Sequence, residues 1–435
     1  MAAHMKTRSI TTGLVLAASA FATAAHADVI VDWNQELLSA IEATNMAPPR
    51  AARAMAMVHT AQFEAVNSID RNFRSHQQYF NCPTATNKEA AAAQAAADVM
   101  LNLFPTRVTQ INSRLNAQLN AIPNGITKTD GVTLGSQSAL AMLNNRSTDN
   151  STNSVTFTNG TQPGAWRTVP ASASAILPHW GSVRPFVVNS SSQFAAPAVP
   201  SLTSDQYTAA YNEVKELGSL NSTTRTQYQT DTAFLWRAGG NTVTPPGQWN
   251  KVAQQVATGQ NLSIEQSSRL FALLGLAVAD AGVTAWETKY TQLFWRPETG
   301  IQLGDTDGNA NTAGDASWAP LFATPNHPSY TSGHSTFSSA AAAILRNFVG
   351  SDSFNFTVTG DGRTRDYSSF TDAMNEAGMS RIYGGIHWQF DNVGGLAAGT
   401  GIGNWVFGNA LAVPTPGAAG VLAAAGLVAL RRRRK

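Results

Sequence analysis

Cysteine is nearly absent. Cys82 is the only one in 435 residues, so no internal disulfide can form and stability must come from packing. Followed by Pro83, it reads as a passive loop residue. Charge is sparse, at 13% of the chain, and no basic face stands out that would imply a nucleic-acid partner. Alternation of β-branched residues is confined to short pieces such as SVTFT (154–158) and FNFTVTG (354–360). No repeat with a period of about 20–50 residues is visible. What is plentiful is alanine, within a hydrophobic content of 43%. That suits a mostly helical protein with a sizeable core.

The two ends differ from the rest. Residues 1–27 run from Lys6 and Arg8 through ITTGLVLAASAFATA to Ala25, His26 and Ala27, the layout of a secretory signal cleaved before Asp28. Residues 413–435 hold Val413, Pro414, Thr415 and Pro416, an apolar run to Leu430, then four arginines and Lys435. An apolar run of about 14 residues is short for a bilayer span. The overall +2 therefore misleads. Without the seven basic residues of these ends, 22 of the 29 remain against 27 acidic ones, a net −5 for residues 28–412.

Within that body, Pro48 and Pro49 precede a long apolar-periodic stretch, as at a helix start. Glu64 falls on it and reads as a buried, paired structural carboxylate. KEAAAAQAAADVMLNLFP (88–105) is a second helix stopped near Pro105. From Asn144 to Gly164 the chain is a polar loop, and extended Pro-rich sequence continues to about Pro200. This stretch is either a domain boundary or a loop wrapped over one body.

Three later stretches carry chemistry. In DAGVTAWETKYTQLFWRPETG (280–300), Lys289 and Arg296 are seven apart, two turns and nearly one face of a helix, with Arg296 in its last turn before Pro297. Aromatic neighbours, Trp286 among them, press that face into protein. In NHPSYTSGHSTFSSAAAAIL (326–345), Ser332 and Gly333 precede a helix beginning near Ser335. Its free N–H groups and dipole suit an anion, with His334 at the edge. In SRIYGGIHWQFDNVGG (380–395), His387 and Asp391 are four apart, so on a helix the carboxylate would fix the imidazole's tautomer. Three cations, a helix N-terminus and two histidines fit a tetrahedral oxyanion that becomes five-coordinate.

These motifs, Lys289–x6–Arg296–Pro297, Pro328-Ser329-Tyr330-Thr331-Ser332-Gly333-His334 and Ser380-Arg381–x5–His387–x3–Asp391, resemble the signature of the superfamily joining type 2 phosphatidic acid phosphatases (PAP2) with vanadium-dependent haloperoxidases. DWNQELLSAI, PPRAARAMAMVHTAQFEAVNSI, PGAWRTVP, VRPFVV and TPPGQWNKVA extend the resemblance to the haloperoxidase branch over 28–412, with the superfamily motifs in 280–400. Compact membrane phosphatases have several spanning helices; the multi-pass pattern is lacking here. The resemblance implies an all-α fold of two four-helix-bundle-like halves with long loops and the oxyanion site in a bundle core.

It further implies vanadate as cofactor, with phosphate able to occupy the same site. His387 would be the vanadate ligand, Asp391 its orienter and His334 the acid–base group. Lys289, Arg296, Ser332, Gly333 and Arg381 would hold the vanadate oxygens, and Lys289 would polarise hydrogen peroxide for halide oxidation. His327, seven residues before His334, matches algal bromoperoxidases, where fungal chloroperoxidases have phenylalanine, and so favours bromide or iodide. Trp286 fits an aromatic wall of the halide pocket. Trp236-Arg237-Ala238-Gly239-Gly240 has no acidic residue, where fungal members place an aspartate.

The same residues would serve a secreted acid phosphatase, with His387 attacking a phosphomonoester and His334 protonating the leaving group, because five-coordinate vanadate mimics phosphoryl transfer. A non-catalytic envelope or matrix protein with an inherited pocket is a third reading. Asp305-Thr306-Asp307-Gly308-Asn309-Ala310-Asn311 spaces oxygens as calcium loops do but has Ala316 at the twelfth position, so an Asx-rich turn is preferred to calcium. The C-terminal segment resembles a PEP-CTERM sorting signal with Thr415 in place of the usual acidic residue. It implies an exosortase-like processing enzyme and export to the envelope or exterior of a Gram-negative-type bacterium.

Overall fold

The structure, a computed structural model, describes residues 28–413. The secretory signal and all of the sorting segment but Val413 lie outside them. Thirteen α-helices and one β-hairpin are present among the described residues. The first group is α1 (Val29–Ala43), α2 (Pro48–Asp70), α3 (Lys88–Leu103), α4 (Val108–Ala121) and α5 (Ile126–Arg146). Pro48 and Pro49 open α2 where the first-turn N–H groups need no partner. Glu64, 2% exposed on α2, is paired as expected, though with neutral groups. It accepts from Ser75 Oγ at 2.6 Å and the N–H groups of His76 and Gln77 at 2.5 and 3.1 Å. Cys82 is half-buried against the core and free.

After the loop come α6 (Asp205–Leu217), α7 (Gln227–Leu235), α8 (Thr244–Gly259) and the long α9 (Ile264–Gln292). A capping box at Ser263 and Gln266 starts α9. It packs on α2 in the first bundle and on α11 (Gly333–Val349) and α13 (Gln389–Asn409) in the second. Alone among the described helices, α9 is long and apolar enough to cross a membrane, and 94% of its apolar window is buried inside the protein. Between these lie the short α10 (Pro297–Gln302) and α12 (Phe370–Tyr383). Strands β1 (Ser353–Gly360) and β2 (Arg363–Ser369) pair antiparallel around Asp361-Gly362, both at positive φ. FNFTVTG is thus a strand, whereas SVTFT is not.

The extended stretch after α5 wraps over the body. Trp166 N–H bonds the Leu293 carbonyl (2.7 Å) and Trp295 N–H the Gly164 carbonyl (2.9 Å). Ile176 N–H bonds the Asn326 carbonyl at 2.7 Å, and Asp280 accepts from the N–H groups of Phe186, Val187 and Val188 at 2.6–2.9 Å. In the calcium-like loop, Asp305 accepts from Gly314 N–H, and Asp307 from Asn309 N–H and Thr312 Oγ1, at 2.7–2.8 Å. Internal donors reach both carboxylates, as in an Asx-rich turn.

Candidate oxyanion site

Lys289 sits in the last turn of α9, but Arg296 does not continue that helix. Leu293 adopts a left-handed backbone (φ 48°) and ends α9, and Arg296 instead N-caps α10. The expected single helical face, with Arg296 in a last turn, is therefore corrected: a sharp turn folds the two cations back together. Likewise His387 precedes α13, and Asp391, in its first turn, reaches back rather than along a shared face. The helix of the second stretch begins two residues earlier than its sequence suggests, with Ser332 as N-cap of α11 and Gly333 as its first residue.

Lys289 Nζ donates to the carbonyls of Pro328 (2.7 Å) and Ser329 (2.9 Å). Arg296 Nε donates to the His327 carbonyl at 2.9 Å, Nη2 to His327 Nδ1 at 2.9 Å, and Nη1 to the Ile386 carbonyl at 2.7 Å and to His387 Nε2 at 3.0 Å. His387 Nδ1 lies 2.8 Å from Asp391 Oδ2, which also accepts from the Trp388 N–H at 3.1 Å and from Ser329 Oγ. The tautomer follows: His387 carries its proton on Nδ1 and points the Nε2 lone pair toward the cations. Ser332 Oγ accepts from Ser335 N–H at 3.3 Å, leaving its own proton free to donate. Gly333 and His334 present first-turn N–H groups.

His334 Nε2 is 3.2 Å from the Arg237 carbonyl, and Arg381 Nη1 is 3.3 Å from the Trp236 carbonyl. The His327 ring packs 4.9 Å from Trp286, whose ring is 5.8 Å from Lys289 Nζ. All ten residues singled out in the sequence converge. Lys289, Arg296, Ser332 and Asp391 are fully buried, Arg381 and His387 nearly so, while His327 and His334 are half-buried and mark the solvent side.

Burial lowers Lys289 well below its ordinary value, and Arg296 adds to this. It brings Arg296 to about 10 and Arg381 to about 9, so both stay charged at neutral pH. Burial, then neighbouring cations, push His334, His327 and His387 far down, keeping them neutral. Burial raises Asp391 to about 6 against Ser329, Lys289, the Trp388 N–H and Arg296, all of which hold it down. The result is two charged guanidiniums and the Lys289 amine facing one carboxylate, with Arg381 Nε buried and unpartnered. An oxyanion fits that donor set. The sequence left unseen the acceptors that shape the pocket: the carbonyls of Pro328, Ser329, Ile386, Trp236 and Arg237. Main-chain oxygens carry no residue signature. Only Pro328 and Ser329 are named positions of a quoted motif, and nothing there marks their carbonyls.

The family model of the second helical-bundle domain of VCPO matches residues 269–414, the part that supplies Lys289, Arg296, Arg381 and the three histidines of the site. Over the longer chain, the crystal structure of the first bacterial vanadium-dependent iodoperoxidase superposes with a TM-score of 0.78 at 26% identity, covering 89% of this chain and 97% of that one. The chain is similar to the vanadium haloperoxidases. Vanadium chloroperoxidase of Curvularia inaequalis is 28% identical over 233 residues, 40% of this chain but only 38% of that longer protein. A holo-type bacterial vanadium-dependent chloroperoxidase shares the haloperoxidase fold at 15% identity, with a TM-score of 0.66 over 83% of this chain and 91% of that one.

Proposed function

We propose that this protein is a vanadate-dependent haloperoxidase that uses hydrogen peroxide to oxidise halide, iodide or bromide before chloride, to a hypohalous species. The observation that carries this reading is the uncompensated buried charge: Arg296 and Arg381, with Lys289 beside them, lie around His387 with Asp391 as the one carboxylate in contact among the described residues. Buried cations are costly unless a counter-charge with hydrogen-bond acceptors accompanies them. A tetrahedral oxyanion supplies both. Bound vanadate supplies Lewis-acid activation of peroxide at unchanged oxidation state.

The protein's own groups divide the remaining work. His387 offers Nε2 as ligand while Asp391 holds Nδ1–H. Arg296, Arg381, Ser332 and the Gly333 N–H bind oxygens, and Lys289 adds a charge-assisted donor that polarises the oxidant. His334, kept neutral by burial and the cations, with Nε2 turned to the Arg237 carbonyl, takes the proton of incoming hydrogen peroxide on its other nitrogen. His327 and Trp286 form the wall past which halide approaches, and likeness to an iodoperoxidase supports the heavier halides. The apolar leader and tail support export to the envelope or exterior.

The test is to add orthovanadate to the protein, then assay iodide and bromide oxidation by peroxide, beside phosphomonoester hydrolysis without vanadate. Halide oxidation lost in His387→Ala supports the reading. Hydrolysis alone makes the protein a phosphatase using His387 as nucleophile, and silence in both removes enzymatic function from the pocket.

A further inference from the structure

Residues 236–238 form a strap across the site that contributes two main-chain carbonyls, one to Arg381 and one to His334. The Trp236 carbonyl holds an Arg381 whose Nε is buried without a partner. Wherever the strap goes, these two side chains go. Ala238 follows at φ 40°, a left-handed backbone that an L-residue keeps only where its surroundings impose it.

The surroundings are specific. The Trp236 indole, 1% exposed, stacks on Trp249 at 5.9 Å and donates through Nε1 to Tyr367 Oη at 3.1 Å. Tyr367, on β2, donates in turn to Glu376 Oε1 of α12 at 2.7 Å. Glu376 is fixed by Arg365, by Thr232 Oγ1 at 3.3 Å and by Tyr228 Oη at 2.8 Å. The phenol has one proton, which goes to the carboxylate, so its lone pair must receive the indole N–H and the direction of the chain is determined. A second tether ties Arg237 to Asp361 at the hairpin tip, with Nε–Oδ2 at 2.8 Å and Nη2–Oδ1 at 3.1 Å.

We propose that Tyr367 is a positioning residue of the oxyanion site: by anchoring the Trp236 indole to Glu376 it sets where Arg381 and His334 stand, and the β1–β2 hairpin is the mount for the strap. This rests on the pocket being an oxyanion site. The experiment titrates the full protein calorimetrically with orthovanadate and separately with inorganic phosphate. Tyr367→Phe, which keeps the ring packing, is expected to weaken both about three- to tenfold, as loss of one buried hydrogen-bond anchor would. In an Arg381→Met background most of that loss is expected to vanish, because coupled residues are not additive. Full affinity in Tyr367→Phe, or the same fold-loss with Arg381 already gone, overturns the proposal, the latter showing general loosening. Asp361→Asn, at the exposed hairpin tip, tests the mount without touching the core. It should weaken both anions at least about twofold, and unchanged affinity would count equally against the mount. Should the unmodified protein bind neither anion, the functional reading itself falls, an outcome separate from a variant that binds like wild type.

Discussion

Arg381 is 3% exposed, makes a single 3.3 Å hydrogen bond to the Trp236 carbonyl and keeps Nε unpartnered. Without an anion, such a residue destabilises the fold, since a buried charge lacking good partners costs more than an apolar side chain of similar volume. Arg381→Met should therefore raise stability in anion-free buffer by about 1–4 kcal/mol while weakening orthovanadate binding at least tenfold, on the order of the 1.4 kcal/mol or more expected for a charged hydrogen bond. Urea unfolding and a vanadate titration on the same sample measure both. A variant less stable than wild type without anion would show that the guanidinium serves the fold instead. At this scale the sequence was informative because the chemistry of lysine, arginine, histidine and aspartate is written in the residue types and their order. It marked Trp236 and Arg237 only by the missing acidic residue, not by the carbonyls through which they act and which any residue would provide.

Elements bring the two histidines together. Ser332 and His334 start α11 and Asp391 lies in the first turn of α13, so the distance between those helices sets the pocket's width. Gly395, Gly399 and Gly403 make one face of α13 bare. A Cβ at Gly395 would sit 2.8 Å from the Ser332 carbonyl oxygen, one at Gly403 2.5 Å from that of Ala340, and one at Gly399 would overlap the Thr336 carbonyl and Ser339 Oγ. Gly399→Ala should cost about 1–3 kcal/mol by overpacking, against about 1 kcal/mol recovered in helix propensity, and should widen the pocket. Weaker vanadate binding alongside a lower melting temperature is the expected pair. Unchanged affinity would mean that the helices do not set the site. The helices themselves were readable from periodicity and caps. Their ends were less so: the left-handed Leu293 that turns Arg296 back has no glycine or asparagine to announce it, so the continuous helix fails there while the meeting of the two cations holds.

For the whole molecule, α9 joins both bundles, and two buried titratable groups lie along its junction with α2 and the wrapping loop. His59 on α2, fully buried between Asn34 and Gln62 and 5.1 Å from the Phe271 ring, is pushed down to about 4 by burial. Asp280, which ties Phe186–Val188 to α9, is pushed up to about 6 by burial. A histidine lowered on folding contributes stability that is complete above about pH 6.5 and is lost as pH falls toward 4. An aspartate raised on folding contributes stability present below about pH 4 and lost as pH rises through 6. Over the interval they share, the slopes oppose and largely cancel. Removing one exposes the other: in His59→Leu, stability should rise relative to wild type as the solution is acidified, by about 1.4 kcal/mol per pH unit between roughly pH 6 and 4.5. The unpaired Asn34 and Gln62 amides add a penalty that pH does not alter. Urea midpoints for both proteins at several pH values give that difference directly, and a gap that stays constant with pH would show that His59 titrates normally in the fold.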